Sequence, residues 1–361
     1  MALMRVHTDR LRKGMKIRNN VYSRGGAVLI PDGTPVSRDV IELLTKHLID
    51  YVMVDYQPLS GAPEVLSPEE VAKVTSQQMA RFAENFQMAE DTISQNLKDI
   101  VENDKDLDEQ ALLDVLSDVV DSSGSDVNLC DMLFHMRKCS EGLFSHSINV
   151  ALLGQVVAKW MNYSEREIQM VATAGLLHDI GLLKINQTSE LPADFKFSEE
   201  LEPGRYSRHP ILAYNMLKDK SIDPMIKQAV LTHHERLDET GFPLKIKGAN
   251  INPISRILAI VDVYDTLSMP SEGGITKSPF WLLRDLEANG YHKYDSKILM
   301  TFITKLTNNF IKHNVRLSNG LTGQIVLINK YNLTRPLVQI GKSSFIDLAV
   351  RKDISILEVL D

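Results

Sequence analysis

The chain has 361 residues and a formal net charge of −7, with 43% hydrophobic and 24% charged residues, the make-up of an ordinary globular protein of roughly two to three domains. That balance excludes a surface built for duplex nucleic acid, which selects clustered Lys and Arg, although a local site can still take a small anion. The two cysteines, Cys130 and Cys139, exclude a disulfide framework and a paired-cysteine zinc site and point to a reducing compartment.

The first residues, "MALMRVHTDRLRKGMKI", scatter charge and contain no apolar leader segment. No later run approaches the roughly eighteen apolar residues of a membrane span, so a cytoplasmic protein without a membrane span is expected. From Tyr22 to Tyr56 short β-branched runs alternate with Gly and Pro and enclose one helical stretch, from about Ser37 to His47; residues 1–56 read as a small α/β accessory module. Pro, Ser and Gly then dominate residues 57–70 as a linker. Within it Ser67, Pro68, Glu69 and Glu70 form a helix start, with a capping hydroxyl, a proline in the first turn and acids at the positive helix end.

Further on, Val71, Val74, Met79, Phe82, Phe86, Ile93, Leu97 and Ile100 recur at helical spacing, which gives residues 57–127 as linker and connecting or partner-binding helices, or equally an outer helical layer of the main domain. A loop is expected over 121–127. Residues 128–313 are helical in texture, with "NVALLGQVVAKWM", "IQMVATAGLLHDI" and "AVLTHHERL" reading as buried helices. The end changes period: Asn319-Gly320 between apolar runs is a hairpin signal, and "PLVQI", "SFIDLAV" and "ISILEVL" read as strands of a small β module over 314–361. The expected fold is mainly α, an all-helical domain flanked by the two small modules.

Chemistry concentrates in the helical region. Eight of the ten histidines fall there, and five of them, His146, His178, His209, His233 and His234, stand in distinctive contexts. Taken singly, each reads as a hydrogen-bonded core or surface residue. Together they repeat one oddity, a metal-capable side chain on an otherwise apolar helix: His146 precedes "SINVALLGQVV", His178-Asp179 lies in "AGLLHDIGLL", His209 begins "HPILAYNML", and Asp262 and Asp265 interrupt "RILAIVDVYDTL". A buried Asp needs a compensating partner or cation. Imidazole nitrogen and carboxylate oxygen suit zinc, manganese or iron, and a carboxylate can bridge two metals. Two such ions roughly 3.5–4 Å apart favour phosphodiester hydrolysis.

In order, His146, the "HD" of His178-Asp179, His209, "HHERLDETGFP" and Asp262 resemble the HD-GYP family, a branch of the HD phosphohydrolases that hydrolyse cyclic di-GMP; the likeness covers roughly 128–313. It implies that His146, His178, Asp179 and Asp262 surround one metal. Asp179 would bridge to a second, held by His209, His233 and His234, and would carry the catalysis with a hydroxide between the metals. Iron or manganese is the implied pair of divalent ions. The resemblance also implies that Glu235 orients the His233-His234 pair, with Asp238 doing likewise or capping the turn.

Gly241, Phe242 and Pro243, with Lys277, would meet the substrate, although Gly241-Phe242-Pro243 alone also reads as an ordinary turn. Against the family pattern, Leu182 stands where a lysine follows "HDIG", which leaves Lys184 as a substitute catalytic cation; Phe242 lacks a hydroxyl, and residues 266–280 lack the usual Arg and Tyr. The implied function is a metal-dependent phosphodiesterase taking cyclic di-GMP to linear pGpG and GMP. Its rivals are a weakened nucleotide sensor or protein-interaction module and a phosphohydrolase for another nucleotide. The partners expected are a cyclic dinucleotide, proteins through the flanking modules and a second copy of the chain, but no duplex nucleic acid.

Overall fold

The computed structural model describes residues 2–8, 11, 15–22, 28–47, 49, 51–56, 68–136, 142–187, 206–269 and 277–360. The linker with Ser67, Glu141, Cys139 and the altered segment 270–276 lie outside the described residues. Two units divide the chain, Met1–Lys73 and Val74–Asp361.

In the first unit β1 (Ala2–His7), β5 (Tyr51–Tyr56) and β2 (Lys16–Arg18) form an antiparallel sheet in the order β1-β5-β2, while β3 (Val21–Tyr22) pairs with β4 (Val28–Ile30). The expected helix forms as α1 (Arg38–Lys46), with Asp39 in its first turn and Lys46 in its last, each complementing the helix dipole. It packs Leu44 into a core with Ile17, Ile30, Val36, Val52 and Val54.

In the second unit, helices α2 (Pro68–Asn103), α3 (Glu109–Ser123) and α4 (Asp126–Met136) lead into the central region. Phe82, Phe86, Ala89, Ile93, Leu97 and Ile100 make one buried stripe along α2, and it belongs to the same apolar core as the later helices. These helices are therefore a layer of the main unit. Asp108 caps α3 through the Ala111 N–H, and Gly124 ends it in the left-handed conformation, at φ 76°.

The central helices are α5 (Leu143–Trp160), α6 (Glu165–Leu177), α7 (Ile180–Gln187), α8 (His209–Leu217), α9 (Pro224–Thr232), α10 (Pro253–Ser268), α11 (Pro279–Asn289) and α12 (Ser296–Asn309). Ser164 and Glu167 start α6 with a reciprocal capping box. One stretch, Glu165–Ile185, does reach the length and apolarity of a membrane span, contrary to the expectation from sequence, and 83% of its apolar window is buried inside the fold. A helix that is apolar all round is what a core position requires.

The chain closes with β6 (Asn314–Leu317), β7 (Thr322–Asn329), β8 (Asn332–Ile340), β9 (Ser344–Asp347) and β10 (Ile356–Val359), an antiparallel sheet in the order β10-β6-β7-β8-β9. Asn319-Gly320 makes the β6–β7 turn, with Gly320 at φ 83°. Val315, Leu317, Ile325 and Val338 of this sheet join the helical core, and Glu287 of α11 accepts from Thr334 Oγ1 at 2.6 Å.

Gly181 fixes how α7 meets α8. A Cβ there would sit 2.1 Å from the carbonyl oxygen of His209, a backbone atom that cannot swing aside. Gly181→Ala should therefore lose about 1–3 kcal/mol from overpacking, read as a lower denaturant midpoint, with a lower metal affinity because His209 opens α8.

Candidate metal centre

The helical region builds its polar cluster mostly at helix ends. His146 lies one turn into α5; the short connection 161–164 turns the chain back, so the far end of α6 returns beside it. His178 and Asp179 occupy the turn between α6 and α7, not the helix interior that their apolar context suggested. His233 likewise caps the end of α9, with His234 just beyond it. Asp262 and Asp265 share a buried face of α10.

All five histidines and both Asp179 and Asp262 are buried. Three imidazoles repeat one local device: Nδ1 of His178, His209 and His233 donates to the carbonyl three residues earlier, of Gly175, Tyr206 and Val230, each at 2.7 Å. A carbonyl only accepts, so the Nδ1 position carries a proton, and Nε2 faces inward, as a lone pair whenever the ring is neutral. His146 Nδ1 is turned outward too, 2.6 Å from Asp265 Oδ2, and Asn149 Nδ2 donates to the other oxygen of Asp265 at 3.0 Å.

The inward atoms converge. His209 Nε2 and His233 Nε2 are 3.2 Å apart, as are His146 Nε2 and His178 Nε2. Asp179 Oδ1 stands 3.0 Å from His209 Nε2 and 3.7 Å from His233 Nε2, while Oδ2 lies 3.4 Å from His178 Nε2 and 3.8 Å from His146 Nε2. Yet Asp179 Oδ1 has no hydrogen-bond partner. With the His209 ring neutral and its proton on Nδ1, lone pair faces lone pair across those 3.0 Å, an arrangement that a bound cation or a second proton on the ring makes favourable.

Two ligand groups result, one of His146, His178 and Asp179 and one of Asp179, His209, His233 and His234, sharing Asp179. Asp262 stands beside both, with Oδ1 3.3 Å from His146 Nε2 and Oδ2 3.6 Å from His234 Nδ1. The donor set, imidazole nitrogen with carboxylate oxygen, fits divalent zinc, manganese or iron.

Electrostatics agree with this division. Burial alone would protonate Asp179, but the His178 and His209 rings beside it outweigh burial and hold it well below the usual carboxylate range. Asp262 is held low as well, against burial, by His146 and His234. His233 is pushed down to about 3 by burial and by its neighbours His178 and His209; burial likewise lowers His146 and His234. At His178 burial is overcome by Asp179, which holds the ring up at about 9.

Several side chains do other work than the sequence suggested. Glu235 has no described hydrogen bond to the rings of the histidine pair: its carboxylate accepts the backbone N–H groups of Leu244, at 2.6 Å, Lys245, at 3.0 Å, and Ile246, at 3.2 Å, and so fastens the turn that follows. Asp238 caps that turn through Thr240 N, at 3.1 Å, and Thr240 Oγ1, at 2.6 Å.

Gly241 packs so closely that a Cβ would meet His234 O at 2.4 Å and Arg236 N at 2.5 Å. Phe242 lies over His234, with ring centroids 4.5 Å apart, and the Phe242-Pro243 bond is cis. Lys184 is exposed on α7, two residues and so about 200° round the helix from buried Leu182, and Lys277 covers the Trp281 ring at 4.1 Å. Neither cation has a described contact with the cluster.

Asp265, which with Asp262 interrupts an apolar run in the sequence, is the partner that turns His146; its spacing of three from Asp262 was the available signal. Tyr206 was missed. Its hydroxyl is 3.4 Å from His234 Nε2, and its place three residues before His209 mirrors Gly175 before His178 and Val230 before His233.

The HD domain family matches residues 129–298. A cyclic di-GMP phosphodiesterase of Pseudomonas aeruginosa is 27% identical over 62% of this chain and 55% of its own length. The cyclic di-GMP phosphodiesterase PdeB of Borreliella burgdorferi is 24% identical over 54% of this chain and 50% of its own. The 3'3'-cGAMP-specific phosphodiesterase 1 of Vibrio cholerae is 34% identical over 36% of this chain and 30% of its own. The chain thus spans about half the length, or less, of these curated relatives. Among solved structures, an HDG"Y"P protein from Bdellovibrio bacteriovorus covers 83% of this chain and 98% of its own, at 14% identity and a TM-score of 0.49.

Two outcomes are expected. A proton held on His178 below about pH 9 competes with a cation for Nε2, so manganese affinity should rise between pH 6 and 9, with on the order of one proton released near pH 7; calorimetry in buffers of different ionisation enthalpy reads that count. Glu235→Ala strands three backbone donors and should cost about 1–3 kcal/mol in denaturant unfolding.

Proposed function

Because residues 129–298 are an HD domain, of the HD-GYP kind, we propose that this protein is a metal-dependent phosphodiesterase acting on a cyclic dinucleotide. The observation that carries the reading is the orphaned, ionised Asp179 between two groups of inward-facing imidazole nitrogens. On this reading His146, His178 and Asp262 with Asp179 would hold one divalent ion, and His209, His233 and His234 with Asp179 the other. Two such ions, iron or manganese, would supply a water of lowered pKa and positive charge at the oxygens of a phosphoester.

The chain's own part is to fix the donors. Carbonyl acceptors behind three histidines and Asp265 behind His146 set which nitrogen each ring offers, so little reorganisation is needed when charge develops on phosphorus oxygens. Glu235 and Gly241 hold the turn that lays Phe242 on His234.

Cyclic di-GMP is the proposed substrate and linear pGpG the product, with GMP on further hydrolysis. The two relatives that match more than half of this chain are named for cyclic di-GMP. Others are named for 3'3'-cGAMP, which makes that dinucleotide the competitor to test.

A second reading, a nucleotide sensor that binds without efficient turnover, is favoured by one feature: the position after "HDIG" holds buried Leu182 and the next cation along, Lys184, is exposed. Loss of a cation beside the phosphate weakens recognition of charge.

Full-length protein reconstituted with iron or manganese under reducing conditions should convert cyclic di-GMP to pGpG, faster than it converts 3'3'-cGAMP. His178→Ala, Asp179→Ala or a chelator should abolish turnover. Binding of cyclic di-GMP by calorimetry with no product from the metal-replete protein would establish the sensor instead, and neither binding nor turnover with either dinucleotide would overturn both readings.

A further inference from the structure

Among the histidines of the cluster, His234 is held differently. His178, His209 and His233 each have a backbone carbonyl behind Nδ1, and His146 has Asp265. The described contacts of His234 Nδ1 include no carbonyl; that nitrogen faces Asp262 Oδ2 at 3.6 Å. Its other nitrogen, Nε2, meets the hydroxyl of Tyr206 at 3.4 Å, a long hydrogen bond. The turn of the His234 ring is thus set by Asp262, the Phe242 face and one phenol.

That phenol belongs to a residue already engaged with the site through its backbone. The Tyr206 carbonyl accepts from His209 Nδ1 at 2.7 Å, while its ring packs against His209, His234 and Phe242 at centroid distances of 4.8, 5.8 and 6.3 Å. Within this aromatic group Tyr206 has the one hydroxyl, since residue 242 is a phenylalanine.

We propose that Tyr206 is a positioning residue for the half of the centre made by Asp179, His209, His233 and His234, holding His209 by its carbonyl and His234 by its hydroxyl. The inference rests on the metal-centre reading above and deepens it. A phenol both donates and accepts, so it can meet His234 Nε2 in either state of that nitrogen, and its rigid ring fixes where the hydrogen bond ends. Removing the oxygen leaves the carbonyl to His209 in place and releases His234 alone.

Tyr206→Phe tests this, because it deletes a single oxygen and keeps the ring against His209 and Phe242. Manganese binding by the full chain is followed by calorimetry and by the electron paramagnetic resonance signal of a coupled pair. Wild type should take up two equivalents. In Tyr206→Phe one equivalent should weaken by roughly 10–100-fold, the range for partners that orient a ligand, while the other binds as before and the coupled signal reappears only at high manganese.

The unfolding midpoint of the metal-free variant should match wild type, which a general structural defect would not allow. Two equivalents bound by Tyr206→Phe with wild-type affinities would remove the role of Tyr206 and leave the metal centre standing. Fewer than two equivalents in the wild type would instead overturn the metal-centre reading and this inference with it.

Discussion

A carboxylate oxygen buried with no hydrogen-bond donor is among the costliest arrangements a protein interior can hold, and Asp179 Oδ1 is placed in that situation at the meeting point of five helices or helix ends. Each histidine near it has its outward nitrogen committed elsewhere, to a carbonyl, to Asp265 or to Tyr206. The rings therefore cannot all turn to donate to Asp179. With no cation bound His178 takes a compensating proton, held on the ring against burial by Asp179. The surrounding apolar helices make the charge expensive and, by excluding water, make any cation bound there the stronger in its electrostatic effect.

Much of this was legible in the sequence, because metal-capable residues on apolar helices are a chemical contradiction that needs no coordinates to notice. The spacing of His146, His178-Asp179, His209, His233-His234 and Asp262 marked the cluster, and the structure brings all of them together. What the spacing could not show is which face each ring presents. That depends on local φ and ψ at helix ends, and the sequence reading put His178-Asp179 and the His233-His234 pair inside helices. For His178 and His233 the Nδ1-to-carbonyl bond forms where a helix stops, whereas His209 opens α8 and bonds to the Tyr206 carbonyl that precedes it.

Contacts elsewhere depend on local geometry in the same way. Glu235 follows the histidine pair directly, so proximity in sequence suggested that it serves them; in space its side chain points forward to three amides of the next turn. Tyr206 carried no signal of its own, because a tyrosine among polar residues is usual at a surface. The outer elements were easier: the stripe on α2 and the Asn-Gly hairpin follow from short-range rules, although the loop expected over 121–127 shrinks to the Gly124-Ser125 link between α3 and α4. Their packing is another matter. That the C-terminal sheet shares the helical core depends on which face of each strand is apolar and what it meets, and only the coordinates give the partner.

The two sides of the site thus stand in different condition. The donors that would hold metal are complete, buried and oriented by carbonyls, by Asp265 and by Tyr206, so a substitution at any one of them leaves a neighbour wrongly turned. The positions expected to meet phosphate are looser: Leu182 is buried where a cation would be, Lys184 is exposed, Lys277 covers an indole, and Phe242 is spent on His234. On the proposed reading, a cation centre fixed this tightly would supply positive charge at the reacting phosphate by itself. A missing lysine would then weaken substrate capture before the chemical step, and any preference among cyclic dinucleotides would rest on contacts to the bases and sugars more than on contacts to the phosphates.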